Sequence, residues 1–176
     1  MTLRSAFVAS IILLVAACST PSLDQDYSPS PELKIEAYFL GNTEASGVFF
    51  DFKGRQSRHF VVQMQGAWNE ETQTLVLDEQ FLFDDGERSQ RIWTIVKQPD
   101  GQYIGTAPDV IGNATGRSMG NTFAWQYVLE LPYQGDTLEV SLDDRMYLVS
   151  EDVMINRAIM SKWGVNVGEI LISFNK

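Results

Sequence analysis

A chain of 176 residues, 44% of them hydrophobic, can build one domain with a real core, and its 23 acidic against 13 basic residues give a formal charge of -10. No Lys/Arg cluster offsets that acidity, which argues against nucleic acid and against a polybasic contact with anionic lipid, and leaves a solvated acidic surface as the plain reading. With Cys18 as the one cysteine and His59 as the one histidine, neither a disulfide framework nor a thiolate zinc site is expected.

The chain opens with a basic start at Arg4, an apolar run from Ala6 to Val15, and small residues ending at Cys18. That run is too short to cross a bilayer, so residues 1–17 read as a secretory signal peptide. Val15-Ala16-Ala17-Cys18 also resembles the lipobox of bacterial lipoproteins, in which the cysteine becomes the acylated first residue of the mature chain. Acyl chains such as palmitate at Cys18 would anchor the protein to a membrane surface without spanning it, two or more chains giving a stable hold. Ser19 follows the cysteine where an inner-membrane retention signal has Asp, so the resemblance implies the periplasmic face of an outer membrane. Residues 18–32 are then the acylated cysteine and a Ser/Pro/Asp-rich flexible tether, and residues 33–176 a single domain.

Beyond the tether, period-two patterns broken by Gly, Asn and Asp predict strands at residues 35–39, 47–52, 59–65, 74–83, 89–96, 102–107, 122–131, 137–148, 153–162 and 169–174. Residues 153–163 have a helical rival, because Ile155, Ile159 and Trp163 also fall at helical spacing. About ten strands with short links and no βαβ alternation point to an all-β, antiparallel up-and-down barrel, lipocalin-like, with a β-sandwich as the alternative. Leu77, Phe81, Trp93, Trp125, Tyr127 and Met146 lie on the inward phase of their strands, where they line either a pocket or a filled core.

Chemistry-bearing motifs are few. "GRSMG" around Ser118 spells a nucleophile elbow, but a strand follows it instead of a helix and His59 lies upstream, against the order that elbow requires. Gly105, Gly112, Gly116 and Gly120 lack the strand-to-helix setting and the lysine of a phosphate loop; bulges and bends in curved strands account for them. No cofactor is implied.

The carboxylates are more informative. In "DEQFLFDDGERSQRIW", residues 78–93, Asp84-Asp85-Gly86 reads as a three-residue hairpin loop, a type I turn closed by Gly in the left-handed region. That loop pairs Phe83 with Glu87, Phe81 with Ser89, Glu79 with Arg91 and Leu77 with Trp93, and sets Glu79 opposite Arg91 on the apolar face. A two-residue loop would mix apolar and polar residues on one face. A carboxylate facing inward needs a partner, and Arg holds one bidentately. Asp109 is a further acidic candidate, and Asp144 shares the inward phase of Leu142 and Met146, which predicts a network of Glu79, Arg91, Asp109 and Asp144 reaching Arg157 or Lys162.

The segments "YFLG", "HFVVQMQGAW", "LDEQFLFDDGERSQRIW", "APDVIGNATGRSMGNTFAW", "LELP", "DDRMYL" and "NRAIMSKWGVNVGE" resemble a family of Gram-negative lipoproteins known only as domain of unknown function 3833. The pattern departs at Arg145, where the resemblance implies Trp, and it brings no activity and no catalytic residues with it. Gly66-Ala67-Trp68 also matches the short G-x-W motif of lipocalin-like barrels, although strands precede it here.

Three functions fit these readings. The first is non-enzymatic: a membrane-anchored periplasmic barrel that binds an apolar small molecule or lipid, its interior charge pair meeting a headgroup. The second is a structural or accessory envelope protein docking a protein partner that the sequence does not identify. The third is an enzyme of envelope lipids or glycans that uses Glu79, Asp109 and Asp144.

Overall fold

The computed structural model describes residues 21–133 and 135–176. Ten antiparallel strands close into a barrel, β1 (Gly41–Asp51), β2 (Gln56–Asn69), β3 (Thr74–Phe83), β4 (Arg88–Lys97), β5 (Gln102–Thr106), β6 (Val110–Met119), β7 (Thr122–Tyr133), β8 (Asp136–Leu148), β9 (Val153–Lys162) and β10 (Val165–Asn175). Each strand pairs with its sequence neighbours, and β1 pairs with β10 to close the ring and remove both edges. The up-and-down barrel is the architecture the alternation predicts, and β9 is a strand over its whole length. It has two strands more than the eight of a lipocalin.

Two elements differ from expectation. Residues 35–39 hold a short helix, α1 (Ile35–Tyr38), not a strand. Ile35 and Ala37 do alternate with polar residues, but the buried positions are Ile35, Tyr38 and Phe39, spaced as one face of a helix, while Ala37 is exposed. β6 has no counterpart among the predicted strands, because its inward positions are Ala114, Gly116 and Ser118 and carry no bulky alternation.

The small residues of β5 and β6 are matched by large ones opposite. A Cβ on Gly105 would stand 2.6 Å from Cζ2 of Trp125, and one on Gly116 would stand 2.3 Å from its Cε3. The indole therefore lies flat on a floor of glycine, which lets Trp93 of β4 meet Trp125 and Tyr127 of β7 edge-on at 5.9 and 5.4 Å between ring centroids.

The two ends of the barrel differ. The helix α1 and its flanks plug one end: Leu33 and Ile35 are 1% exposed, Phe39 meets Phe174 edge-on at 5.6 Å, and the Tyr38 hydroxyl donates to the Asp152 carbonyl. Lys97 and the Tyr103 hydroxyl both donate to Glu36, whose carboxyl is held below the ordinary range although burial opposes it. Gly66 passes so close under this plug that a Cβ would stand 1.8 Å from the Phe39 carbonyl oxygen, which accounts for the glycine of the G-x-W motif. At the other end the inward-facing Phe49, Phe81, Phe83, Leu131, Leu138, Met160 and Ile172 are only half-buried. The barrel is thus packed and plugged at one end, while the other end, the mouth, is filled by half-buried side chains, among them Phe49, Phe81 and Phe83 clustered around Phe60.

The expected tether is also corrected where it is described. From Pro21 onward it lies docked on the barrel: Arg145 donates to the Pro21 carbonyl and to Asp26, the Tyr147 hydroxyl donates to Asp26, and Ser28 exchanges two hydrogen bonds with Asn121. Composition marks such a segment as unable to form its own core; it carries no trace of donors waiting about a hundred residues away.

Candidate functional site

The β3–β4 hairpin places the central residues. Gly86 at φ +85° closes the Asp84-Asp85-Gly86 loop, the Gly86 amide donates to the Phe83 carbonyl, and Phe83 pairs with Glu87. The ladder then runs Phe81 with Ser89, Glu79 with Arg91 and Leu77 with Trp93, the register that the three-residue loop implies. At the mouth, Arg58 stacks 3.6 Å from the Phe83 ring centre and gathers Asp85 and Glu87.

Inside, between the packed floor and the phenylalanines of the mouth, runs a polar belt. Arg91 grips Asp109 through Nε at 3.0 Å to both carboxylate oxygens and Nη2 at 2.5 Å. Asp109 comes from the link between β5 and β6, and its own carbonyl accepts the Glu130 amide of β7, so the clamp is fixed to the wall at both ends. Glu79, 8% exposed, stands 3.9 Å from Arg91, and among the described residues its carboxylate receives no hydrogen bond. Asp144 accepts the Tyr127 hydroxyl at 3.0 Å and the side-chain amide of Asn156, which also donates to the Arg145 carbonyl.

Burial dominates the electrostatics of this belt. Loss of water pushes Glu79 up to about 7, against the pull of Arg91 and with the help of Asp109 and Asp144. Burial likewise raises Asp144 to about 6, opposed by its hydrogen bonds from Asn156 and Tyr127. Arg91 is raised despite its burial, because Glu79 and Asp109 hold its charge. Tyr127 is pushed well up, by burial first and then by Asp144. The belt therefore has carboxyl groups poised to exchange protons near neutrality, one of them without a donor.

The structure brings together four of the six residues expected in the polar network, Glu79, Arg91, Asp109 and Asp144. It removes Arg157 and Lys162 from it. Asp144 pairs in register with Ala158, so Arg157 faces outward and binds Glu169 through two 3.0 Å hydrogen bonds. Lys162 lies at the rim, 5.0 Å from the ring centre of Trp163. Asn156 and the hydroxyl of Tyr127 are the members that sequence reasoning left out of the network. Asn156 had a signal, a polar residue at the inward phase between Met154 and Ala158.

Of the lining residues, Leu77, Trp93 and Trp125 are buried in the floor, whereas Phe81, Tyr127 and Met146 are half-buried. Ser118 sits in β6 near the plugged end with a strand after it, and His59 lies outside near the mouth beside Gln56, so no elbow or triad forms. Among the described residues no cluster of three His, Cys, Asp or Glu could hold a metal ion, and no helix is long and apolar enough to cross a membrane. Cys18 and the signal segment lie outside the described residues.

Comparison with known proteins places this geometry. A family model described as Protein of unknown function (DUF3833) matches residues 12–176. No curated protein sequence matches the chain. Among solved structures, the S-type phycobiliprotein lyase CPES from Guillardia theta is similar, with a TM-score of 0.58 over 80% of this chain and 89% of that one, at 8% identity. At that identity the likeness is one of fold.

Proposed function

Because the chain belongs to the DUF3833 family, whose description assigns no activity, we propose a function from the barrel itself: it is a binding protein for an elongated, mostly apolar molecule that enters between the half-buried side chains of the mouth and offers a hydrogen-bond donor to Glu79. The observation that carries this is the unanswered Glu79 carboxyl at the base of a half-buried apolar mouth. A nearly buried carboxylate that no protein donor meets has little water to satisfy it, and a ligand N–H or O–H would supply a donor where Arg91 is already committed to Asp109.

The cellular setting is part of the same proposal. The leader and lipobox support an acylated Cys18 and a place in the cell envelope, at the periplasmic face of an outer membrane, where the ligand would be a lipid or a lipid-derived molecule.

The test uses N-phenyl-1-naphthylamine, an apolar fluorophore with a single N–H. Saturable enhancement is expected, weakened by Phe81→Asp at the mouth and by Glu79→Leu at the base. Native mass spectrometry of the purified protein is expected to show a co-purified apolar molecule. No enhancement together with a ligand-free mass overturns the reading.

A further inference from the structure

The mouth has two unlike sides. At the β3–β4 tip, Asp84, Asp85 and Glu87 are gathered by Arg58, a charged turn suited to water. Next to it around the rim, the β1–β2 tip and then the β9–β10 tip expose Phe52 (68%), Trp163 (93%) and Val165 (65%). These tips flank a cleft of about 320 Å³ whose walls include Phe50, Phe52, Gly54, Asn166 and Leu171.

Trp163 has φ +52°, a backbone state that a bulky residue adopts rarely and at a cost, in the two-residue turn Trp163-Gly164. Gly or Asn would fit that turn without strain, and the indole gains nothing by packing, since it stands almost wholly in water. Lys53 lies 5.2 Å from the Phe52 ring centre and Lys162 lies 5.0 Å from that of Trp163. Exposed aromatic rings with adjacent lysines suit the bilayer interface, where the ring sits at headgroup depth and the ammonium reaches phosphate.

We infer that these two hairpin tips dock the mouth end of the barrel onto a phospholipid bilayer by inserting Trp163, Phe52 and Val165 into its interface. The inference rests on the membrane-anchored reading above, and the path of the N-terminal segment agrees with it. That segment runs up the outside of β8 from the plugged end, from Leu33 at the Gly120 carbonyl to Pro21 at Arg145. Pro21 and Ile159 of β9 line one shallow concavity, and β9 leads directly to Trp163. Cys18 is three residues before Pro21, a reach of about 10 Å, and the strand from Ile159 to Trp163 rises about 13 Å. An anchor at Cys18 and the Trp163 ring can therefore meet one bilayer surface, with the mouth facing the lipid from which an apolar ligand would come. The protein's net acidity means that the contact depends on ring insertion more than on headgroup charge.

The experiment places the membrane-extracted, full-length mature protein in phosphatidylethanolamine–phosphatidylglycerol vesicles with brominated acyl chains and reads tryptophan quenching. The expected result is quenching that is lost in Trp163→Phe, because Trp93 and Trp125 are buried inside the barrel and Trp68 lies near the plugged end. Phe52→Ser with Val165→Ser is expected to reduce it, and raised salt is expected to leave it unchanged. Trp163 unquenched on vesicle-bound protein overturns the inference, as does blue-shifted Trp163 emission without lipid from a species of twice the mass, which would mark a second copy as the occupant. The mass of the mature N-terminal peptide reports acylation separately, and dye binding in detergent reports the ligand site separately, so each reading can fail alone.

Discussion

Arg91 holds Asp109 with three hydrogen bonds of 2.5 to 3.0 Å and leaves Glu79, its partner across the ladder, at 3.9 Å. The nearest pair in register is thus not the strongest pair in space. An ordinary surface carboxylate at this distance from a guanidinium would be depressed, yet burial carries Glu79 up to about 7.

That shift makes stability depend on pH with a definite sign. Glu79 binds its proton more tightly folded than unfolded, so its contribution is complete below about pH 4.5 and is lost as pH rises through about 7. Asp144 adds loss of the same sign between about 4 and 6. Glu79→Gln removes the charging penalty: at pH 8 the variant is expected to be more stable than the parent by up to roughly 3 kcal/mol, and near pH 4.5 to match it. Urea unfolding at the two pH values checks this; a gain of equal size at both would mean that the carboxyl is not charging inside the barrel.

Arg91→Leu acts in the opposite direction. It leaves Glu79, Asp109 and Asp144 without the cation they share; breaking a fully buried pair from one side costs about 3–5 kcal/mol, and the part-buried Arg91–Asp109 pair is expected to fall at or below the low end. Asp109→Asn keeps the shape and loses one charge-assisted clamp, about 1.5–3 kcal/mol. The Arg91→Leu deficit is expected to shrink at pH 5, where Glu79 is protonated. Thermal unfolding of the two variants across that range reads both the order and the trend.

How much of this was legible depends on what each feature is made of. The Glu79–Arg91 register was legible because a hairpin loop and an alternating face fix each other locally, and Asp84-Asp85-Gly86 supplies both constraints within sixteen residues. The β6 strand was not, because its inward Gly116, between Ala114 and Ser118, is meaningful only beside Trp125, which folding brings to it. Arg157 and Asp144 illustrate a subtler limit: both belong to well-predicted strands, but whether two residues share a face across β8 and β9 depends on a turn register that their own segments do not encode. The Asp109 clamp and the α1 plug likewise depend on contacts far apart in sequence.

The glycine floor yields a discriminating pair of substitutions. Gly105→Ala would press its methyl on the six-membered ring of Trp125 and little else, whereas Gly116→Ala would meet both that ring and the Ala124 carbonyl at 2.4 Å. Each is expected to cost about 1–3 kcal/mol by overpacking. In a Trp125→Leu background, which removes the ring, the Gly105→Ala cost is expected to fall close to zero while most of the Gly116→Ala cost persists, because a backbone carbonyl cannot step aside. Double-mutant cycles in urea measure the two couplings, and equal rescue of both would show that the wall moves instead of the side chain.

The N-terminal segment offers the last check, on how the barrel is held relative to whatever precedes it. Asp26 accepts from Arg145 Nη1 at 2.6 Å and from the Tyr147 hydroxyl at 2.8 Å, and Arg145 is buried beneath the segment it binds. Burial first, and then the bond to Asp26, push the Tyr147 hydroxyl up to about 12. Asp26→Ala removes the one carboxylate that accepts from both Arg145 and Tyr147, so the segment is expected to detach locally while the ring of ten strands stays closed. Hydrogen exchange should then quicken at the Asn121 amide, which bonds the Ser28 carbonyl, and at the Leu33 amide, which bonds the Gly120 carbonyl, with the β7–β8 ladder unchanged. Tyr147 should titrate lower, though still above 10 because its burial is only partly relieved. The stability cost is expected to stay within about 1–3 kcal/mol, that of a lost charged hydrogen bond. If exchange at Asn121 and Leu33 is unaltered, Ser28 and the plug alone hold the segment, and Arg145 fixes only its first residues.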